Sequence, residues 1–229
     1  MTGRTPRARY LTIEGKDLAP LSAILMKPQK ARACLVFAHG AGAGMSHPFM
    51  EQIAAGLYCR GTATLRYQFP FMEKGSKRPD SPALARAAVR AAVAEARKRC
   101  RAMPLVAGGK SFGGRMTSQA QALRPLAGVC SLAFLGFPLH PPDKPSIVRA
   151  EHLSEVKVPM LFVQGTRDKL AEPSLLKSVT KQLGKPATVH LIDQADHAFH
   201  VPARSGRSDD DVIVEILDVF VEWVDRTAG

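Results

Sequence analysis

The chain has 229 residues, of which 45% are hydrophobic; that is enough for one sizeable core and gives no reason to divide it. Its formal net charge is +12, but the basic residues are dispersed, with no aromatic interleaving on a strand and no nucleic-acid module. A solvated basic surface is therefore expected, not specific nucleic-acid binding, with an anionic substrate as the alternative. No stretch approaches the length of a membrane span, so no membrane association is expected.

A single domain over 1–229 is expected, with residues 1–9 a basic tail. No apolar segment follows that tail, so no signal peptide is read and the cytoplasm is the expected address. Tyr10–Glu14 and Leu21–Met26 read as an antiparallel pair turning around Gly15–Pro20. Ala33–Ala38 is a continuous apolar run, as suits a strand buried on both faces, and it ends in His39–Gly40–Ala41–Gly42–Ala43–Gly44. Pro48–Arg60 is an amphipathic helix closed by Gly61, and Thr62–Tyr67 is the next strand. Phe71–Pro82 reads as a polar loop. Ser81 and Pro82 look like the cap and first position of a helix running to about Arg101.

Leu105 to Ala107 reads as strand, and a helix is expected from Phe112 to about Leu123. Further strands are read at Gly128–Leu135, Val158–Gln164 and Ala187–Ile192. Helices are read at Glu172–Leu183 and Asp209–Arg226. The segment after Leu135 is too proline-rich for a helix, and too short for a lid domain. Alternating strands and helices predict an α/β fold with a mainly parallel sheet of about eight strands and helices on both faces. Cys34, Cys59, Cys100 and Cys130 are widely spaced, with no pair at metal-ligand spacing, and read as reduced thiols.

Gly109-x-Ser111-x-Gly113, between strand and helix, is the pattern of a sharp turn that exposes a serine oxygen. The helix behind it offers a free backbone N–H beside a developing oxyanion. The bland alternative is a glycine-rich turn whose serine caps the helix. Gly109–Lys110–Ser111 also reads as the tail of a phosphate-cradling loop, but that motif needs a glycine where Pro104 stands. The nucleotide reading fails on spacing.

A nucleophile, an acid and a base then follow in the chain order Ser111, Asp168, His197. Each lies in a loop after a strand, and parallel strands gather such loops at one edge of the sheet. The oxyanion donors are expected to be the backbone N–H groups of Phe112 and Ala41. His39 reads as fixing its loop by hydrogen bonding. His200 competes with His197 for the base, and His140 reads as a rim residue touching substrate.

Taken together, His39-Gly-Ala-Gly-Ala-Gly, Gly108-Gly-Lys-Ser-Phe-Gly-Gly-Arg115, His140-Pro-Pro-Asp-Lys-Pro145, Gln164-Gly-Thr-Arg-Asp168 and Asp196-His197 resemble the KANL/Tex-type α/β-hydrolase family, related to dienelactone hydrolases. The resemblance spans roughly residues 33 to 226. It implies an α/β-hydrolase fold and, by position, the triad Ser111, Asp168 and His197. Phe112 stands where methionine is frequent. Arg66 and Arg115 match positions often held by arginine in such relatives, either as clamps for a substrate anion or as braces for neighbouring loops. Animal relatives include a subunit of a chromatin acetyltransferase complex, so a non-catalytic interaction protein is the alternative.

The expected activity is cleavage of a small-molecule carboxylic ester or thioester through an acyl-serine intermediate, with no metal or organic cofactor. The oligomeric state and the physiological substrate are not specified by the sequence.

Overall fold

A computed structural model describes residues 7–227. Its elements in chain order are β1 (Ala8–Gly15), β2 (Leu18–Met26), β3 (Ala33–Ala38), α1 (Pro48–Cys59), β4 (Thr62–Tyr67) and α2 (Pro70–Glu73). Then come α3 (Pro82–Arg99), β5 (Leu105–Lys110), α4 (Phe112–Leu123), β6 (Val129–Leu135) and a 3-10 segment at Val148–Glu155. The chain closes with β7 (Met160–Gly165), α5 (Pro173–Leu183), β8 (Ala187–Ile192), a short 3-10 turn at Ala203–Ser205 and α6 (Asp209–Thr227).

The eight strands form one sheet in the order β1-β2-β4-β3-β5-β6-β7-β8. β2 is antiparallel to both its neighbours, β1 and β4. Every pair from β4 to β8 is parallel. All the loops that follow β3 to β8 therefore open at one edge.

The central strands read as unbroken apolar runs because each face feeds a separate core. Cys34, Val36 and Ala38 point with Leu132, Phe134 and Phe162 into the layer covered by α3 and α4. Ala33, Leu35 and Phe37 point with Leu161 and Val163 into the layer covered by α1 and α6. The two-residue period of a strand produces this division directly. Helix starts follow local chemistry: Ser81 Oγ accepts the Leu84 N–H, and Pro82 occupies the first turn of α3, where its missing N–H costs nothing.

Three details depart from the expected elements. Ala8 and Arg9 pair with Met26 and Leu25, so the first strand reaches into the expected tail; residues 1–6 of that tail lie outside the described residues. A charged Arg9 is tolerated because β1 is an edge strand with most of its side chains exposed. The loop expected over Phe71–Pro82 begins with the helical turn α2, pinned where the Phe71 N–H donates to Asp80. Phe71 is buried there against His39, Phe69 and Phe112. Finally, residues 148–155 form a 3-10 segment that lies against α4. It is the only regular structure between β6 and β7, and no lid domain is built there among the described residues.

Candidate active site

β5 ends and α4 begins with one residue between them, Ser111. It takes φ 50, ψ −116, a conformation that side-chain-bearing residues rarely adopt. The turn closes only because glycines flank it. A Cβ on Gly109 would lie 2.5 Å from the Ala38 carbonyl oxygen, and one on Gly113 would lie 2.5 Å from that of His39. Both obstacles are backbone of β3 and its loop, which cannot step aside. The strain is thus held by neighbours that over-determine it.

The strained turn lifts the serine oxygen to the open edge of the sheet. Ser111 Oγ lies 2.9 Å from Nε2 of His197, in the loop after β8. On the far side of the ring, Nδ1 lies 2.7 Å from Oδ2 of Asp168, in the loop after β7. Asp168 is 2% exposed. Its Oδ1 accepts the Leu170 N–H at 2.8 Å, and its Oδ2 also accepts from the Gln164 side-chain amide. A carboxylate so held by donors orients the imidazole with Nδ1–H towards it. Nε2 is then the acceptor facing the serine.

The glycine-rich loop after β3 lies against this serine, since a Cβ on Gly40 would sit 3.8 Å from Ser111 Cβ. His39 anchors the loop. It is fully buried, its Nε2 accepts the Phe69 N–H at 3.0 Å, and its Nδ1 donates to the Gly40 carbonyl at 2.7 Å. Burial pushes its pKa down to about 4, so the ring is neutral at ordinary pH. The expected loop-fixing part is what these bonds describe. Ala41 sits in this loop, and Phe112 opens α4 on the other side of the serine.

The remaining expected residues divide. His200 is exposed and bonded to Asp209, at 2.9 and 3.1 Å, so it turns away from the serine. His140 is not on a rim: it is 1% exposed, its Nδ1 donates to the Pro141 carbonyl, and its Nε2 is buried without a hydrogen-bond partner among the described residues. The reason is the bond from the His140 N–H to the Leu170 carbonyl, which draws the segment beneath the loop that carries Asp168.

Arg66 is also placed differently from a substrate clamp. It is 3% exposed and donates to the Met45 carbonyl at 2.9 Å, with Glu51 at 3.8 Å, so it braces the loop after β3. Arg115 has no such bond among the described residues. Its Nε is buried without an acceptor among the described residues, and the charge of Arg149, of the same sign, acts on it. Burial and Arg149 together lower its pKa.

Gln164 and Lys110 were not among the expected site residues. A glutamine inside the buried apolar run of β7, four residues before the acid, was the signal for the first. Lys110 donates to the His197 main-chain carbonyl; its position invites the phosphate-loop reading that the spacing rules out. Beside His197 a cavity of about 440 Å³ opens, lined by Pro142, Arg167, Lys169, Leu170 and His200 among others.

A strained serine, a histidine and a buried carboxylate in hydrogen-bonded series on a mostly parallel sheet, with no lid among the described residues, define the class of fold. Residues 31–225 match the family described as an alpha/beta hydrolase domain, and the chain belongs to that family. Among solved structures it is similar to a dienelactone hydrolase from Anabaena variabilis, at 21% identity over 98% of this chain and 99% of that one, with a TM-score of 0.79. It is similar to a serine hydrolase without a lid from Xanthomonas campestris, at 18% identity over 96% and 94%, with a TM-score of 0.73. An esterase domain from Rhodothermus marinus matches at 18% identity over 97% and 100%, with a TM-score of 0.72. No helix among the described residues is long and apolar enough to cross a membrane.

Proposed function

We propose that the protein is a serine hydrolase that cleaves a carboxylic ester or thioester through an acyl-serine intermediate. The observation that carries this reading is the continuous series from Ser111 Oγ to His197 and on to Asp168, at 2.9 and 2.7 Å. Ser111 Oγ attacks the carbonyl carbon while His197 Nε2 takes its proton. The C–O or C–S bond to the leaving group then breaks, and the imidazolium returns that proton to the departing alcohol or thiol. Water repeats the sequence to release the acid. Asp168 holds the tautomer and stabilises the imidazolium throughout. The N–H groups of Phe112 and Ala41 receive the oxyanion, with the N-terminus of α4 adding partial positive charge.

The conformation of Ser111 supports catalysis over a purely binding use of the fold. A docking scaffold has no need to hold a serine at φ 50, ψ −116, a conformation that costs on the order of 1–3 kcal/mol. The sequence motifs support the finer placement among KANL/Tex-type members.

The cavity beside His197 favours a substrate with an anionic group. Arg167 and Lys169 line it together with a single acid, Asp196, and neither basic side chain is engaged in an ion pair among the described residues. The size suits a small molecule.

The test is turnover of short acyl p-nitrophenyl esters and thioesters by wild type and Ser111→Ala. Loss of turnover to background in Ser111→Ala is expected. Full activity in that variant would refute the assigned nucleophile.

A further inference from the structure

Lys110, the last residue of β5, stands between Gly109 and the serine, and no step above uses it. Its alkyl chain runs under the loop after β3, where a Cβ on Gly40 would lie 3.8 Å from Lys110 Cγ. Its ammonium passes Gly136, just after β6, where a Cβ would lie 2.8 Å from Nζ and 3.5 Å from the His197 ring. Gly136 has φ 68, a conformation that strains any side chain placed there. Nζ ends 2.5 Å from the main-chain oxygen of His197, to which it donates. The stacked rings of Phe49 and Phe199 face it at 6.0 and 5.1 Å. One side chain therefore reaches the loops after β3, β6 and β8 and faces the start of α1.

Burying an ammonium is costly, and an apolar side chain would fill such a space at less expense in solvation. The titratable groups that face it are Asp168, Asp196 and His197, from the loops after β7 and β8. It forms no ion pair with either aspartate among the described residues. Burial brings its pKa down to about 8, with the two aspartates opposing the fall. The benefit must lie in geometry. His197 is carried on a loop, two residues before Phe199, which is itself held at φ 68, and loops position reacting groups less sharply than regular elements do.

We propose that Lys110 is a positioning residue for His197: its ammonium holds the main-chain carbonyl of the base and ties that loop to the strand that carries the nucleophile. The inference rests on the acyl-serine reading above. It explains why a polar side chain fills this place beside the nucleophile.

The test compares wild type with Lys110→Met, which keeps the length and apolar bulk of the stem. Measured quantities are kcat, KM for a p-nitrophenyl ester, the rate of fluorophosphonate labelling at Ser111, and kcat/KM from pH 6 to 10. Lys110→Met is expected to lower kcat and the labelling rate together by about 10- to 100-fold, the scale of a reacting group displaced by about an ångström, while KM changes less than about twofold. Wild-type kcat/KM is expected to fall through an alkaline limb near pH 8 that is absent in the variant. A folded Lys110→Met that keeps the wild-type kcat and labelling rate would overturn the proposal. If Lys110→Met does not fold, Lys110→Gln and Lys110→Leu are compared instead, and kcat and labelling rates equal to wild type in either folded variant would overturn it. A wild type that takes no label refutes the acyl-serine reading, and Lys110's part with it. Labelling at equal rates in wild type and Lys110→Met refutes the part of Lys110 alone.

Discussion

Gln164, inside β7, and His197, in the loop after β8, donate to the same oxygen of Asp168. The carboxylate is thereby oriented from within the sheet before the imidazole reaches it. Gln164→Leu removes a donor to a buried charge, a loss worth about 1.5–3 kcal/mol. The expected outcome is lower stability by that amount in denaturant titration and about a tenfold lower kcat. Unchanged stability and kcat would mean that the Leu170 N–H alone suffices.

Asp168→Asn preserves shape but presents a donor where Nδ1–H needs an acceptor, so the ring is driven to the wrong tautomer. A fall in kcat of about 10⁴-fold with a similar KM is expected. His200→Ala, by contrast, removes a solvent-facing pair with Asp209, and steady-state kinetics should show activity within about twofold of wild type, since exposed ion pairs contribute little.

The elbow predicts a stability effect separate from chemistry. In Gly113→Ala the new methyl meets the Ala38 and His39 carbonyl oxygens at 2.6 and 2.5 Å. A loss of roughly 3 kcal/mol is expected from such overpacking, seen as a Tm lower by about 6–12 °C for a chain of this size. An unchanged Tm would show that β3 can retreat from the turn.

His39 gives a pH dependence with a definite sign. Its folded-state pKa is pushed down to about 4 from an ordinary 6.5, so the unfolded chain takes up its proton first as pH falls. Stability from this group is complete above about pH 6.5 and is lost as pH falls towards 4. The loss is on the order of 3 kcal/mol. His152, also pushed down to about 4 by burial and by Arg115, acts in the same direction. Urea titrations at pH 7 and pH 4.5 check this, and His39→Gln should flatten the difference.

Charge reversal tests the anionic substrate. Arg167→Glu and Lys169→Glu should each raise KM about tenfold at low salt for an ester bearing a carboxylate or phosphate. The effect should shrink towards 0.5 M salt, because these groups face water. A neutral ester of the same size should be affected less than twofold. Equal effects on both esters would remove the charge argument.

What could be read from sequence was whatever depends on local pattern. The elbow glycines, the apolar runs of β3, β5, β6 and β7, and the cap at Ser81 all act within a few residues. The order Ser111, Asp168, His197 was visible because each candidate follows a strand, and the structure brings those three side chains into hydrogen-bonded series. Lys110 was harder: its partner is the main-chain carbonyl of His197, far along the chain, and no side-chain pattern marks a carbonyl. His140 carried a signal of the wrong kind. A histidine among prolines reads as exposed, yet a backbone bond to Leu170 takes it inside. Arg66 and Arg115 look alike in sequence, and the Met45 carbonyl and Glu51 beside Arg66 distinguish the brace from a guanidinium with no partner among the described residues.

The most direct test of the central claim is covalent labelling with a fluorophosphonate followed by mass spectrometry of the modified peptide. The account predicts a single adduct on Ser111, formed in wild type and lost in His197→Ala. No adduct in folded wild type, or an adduct on Ser111 that forms equally fast without His197, would contradict it.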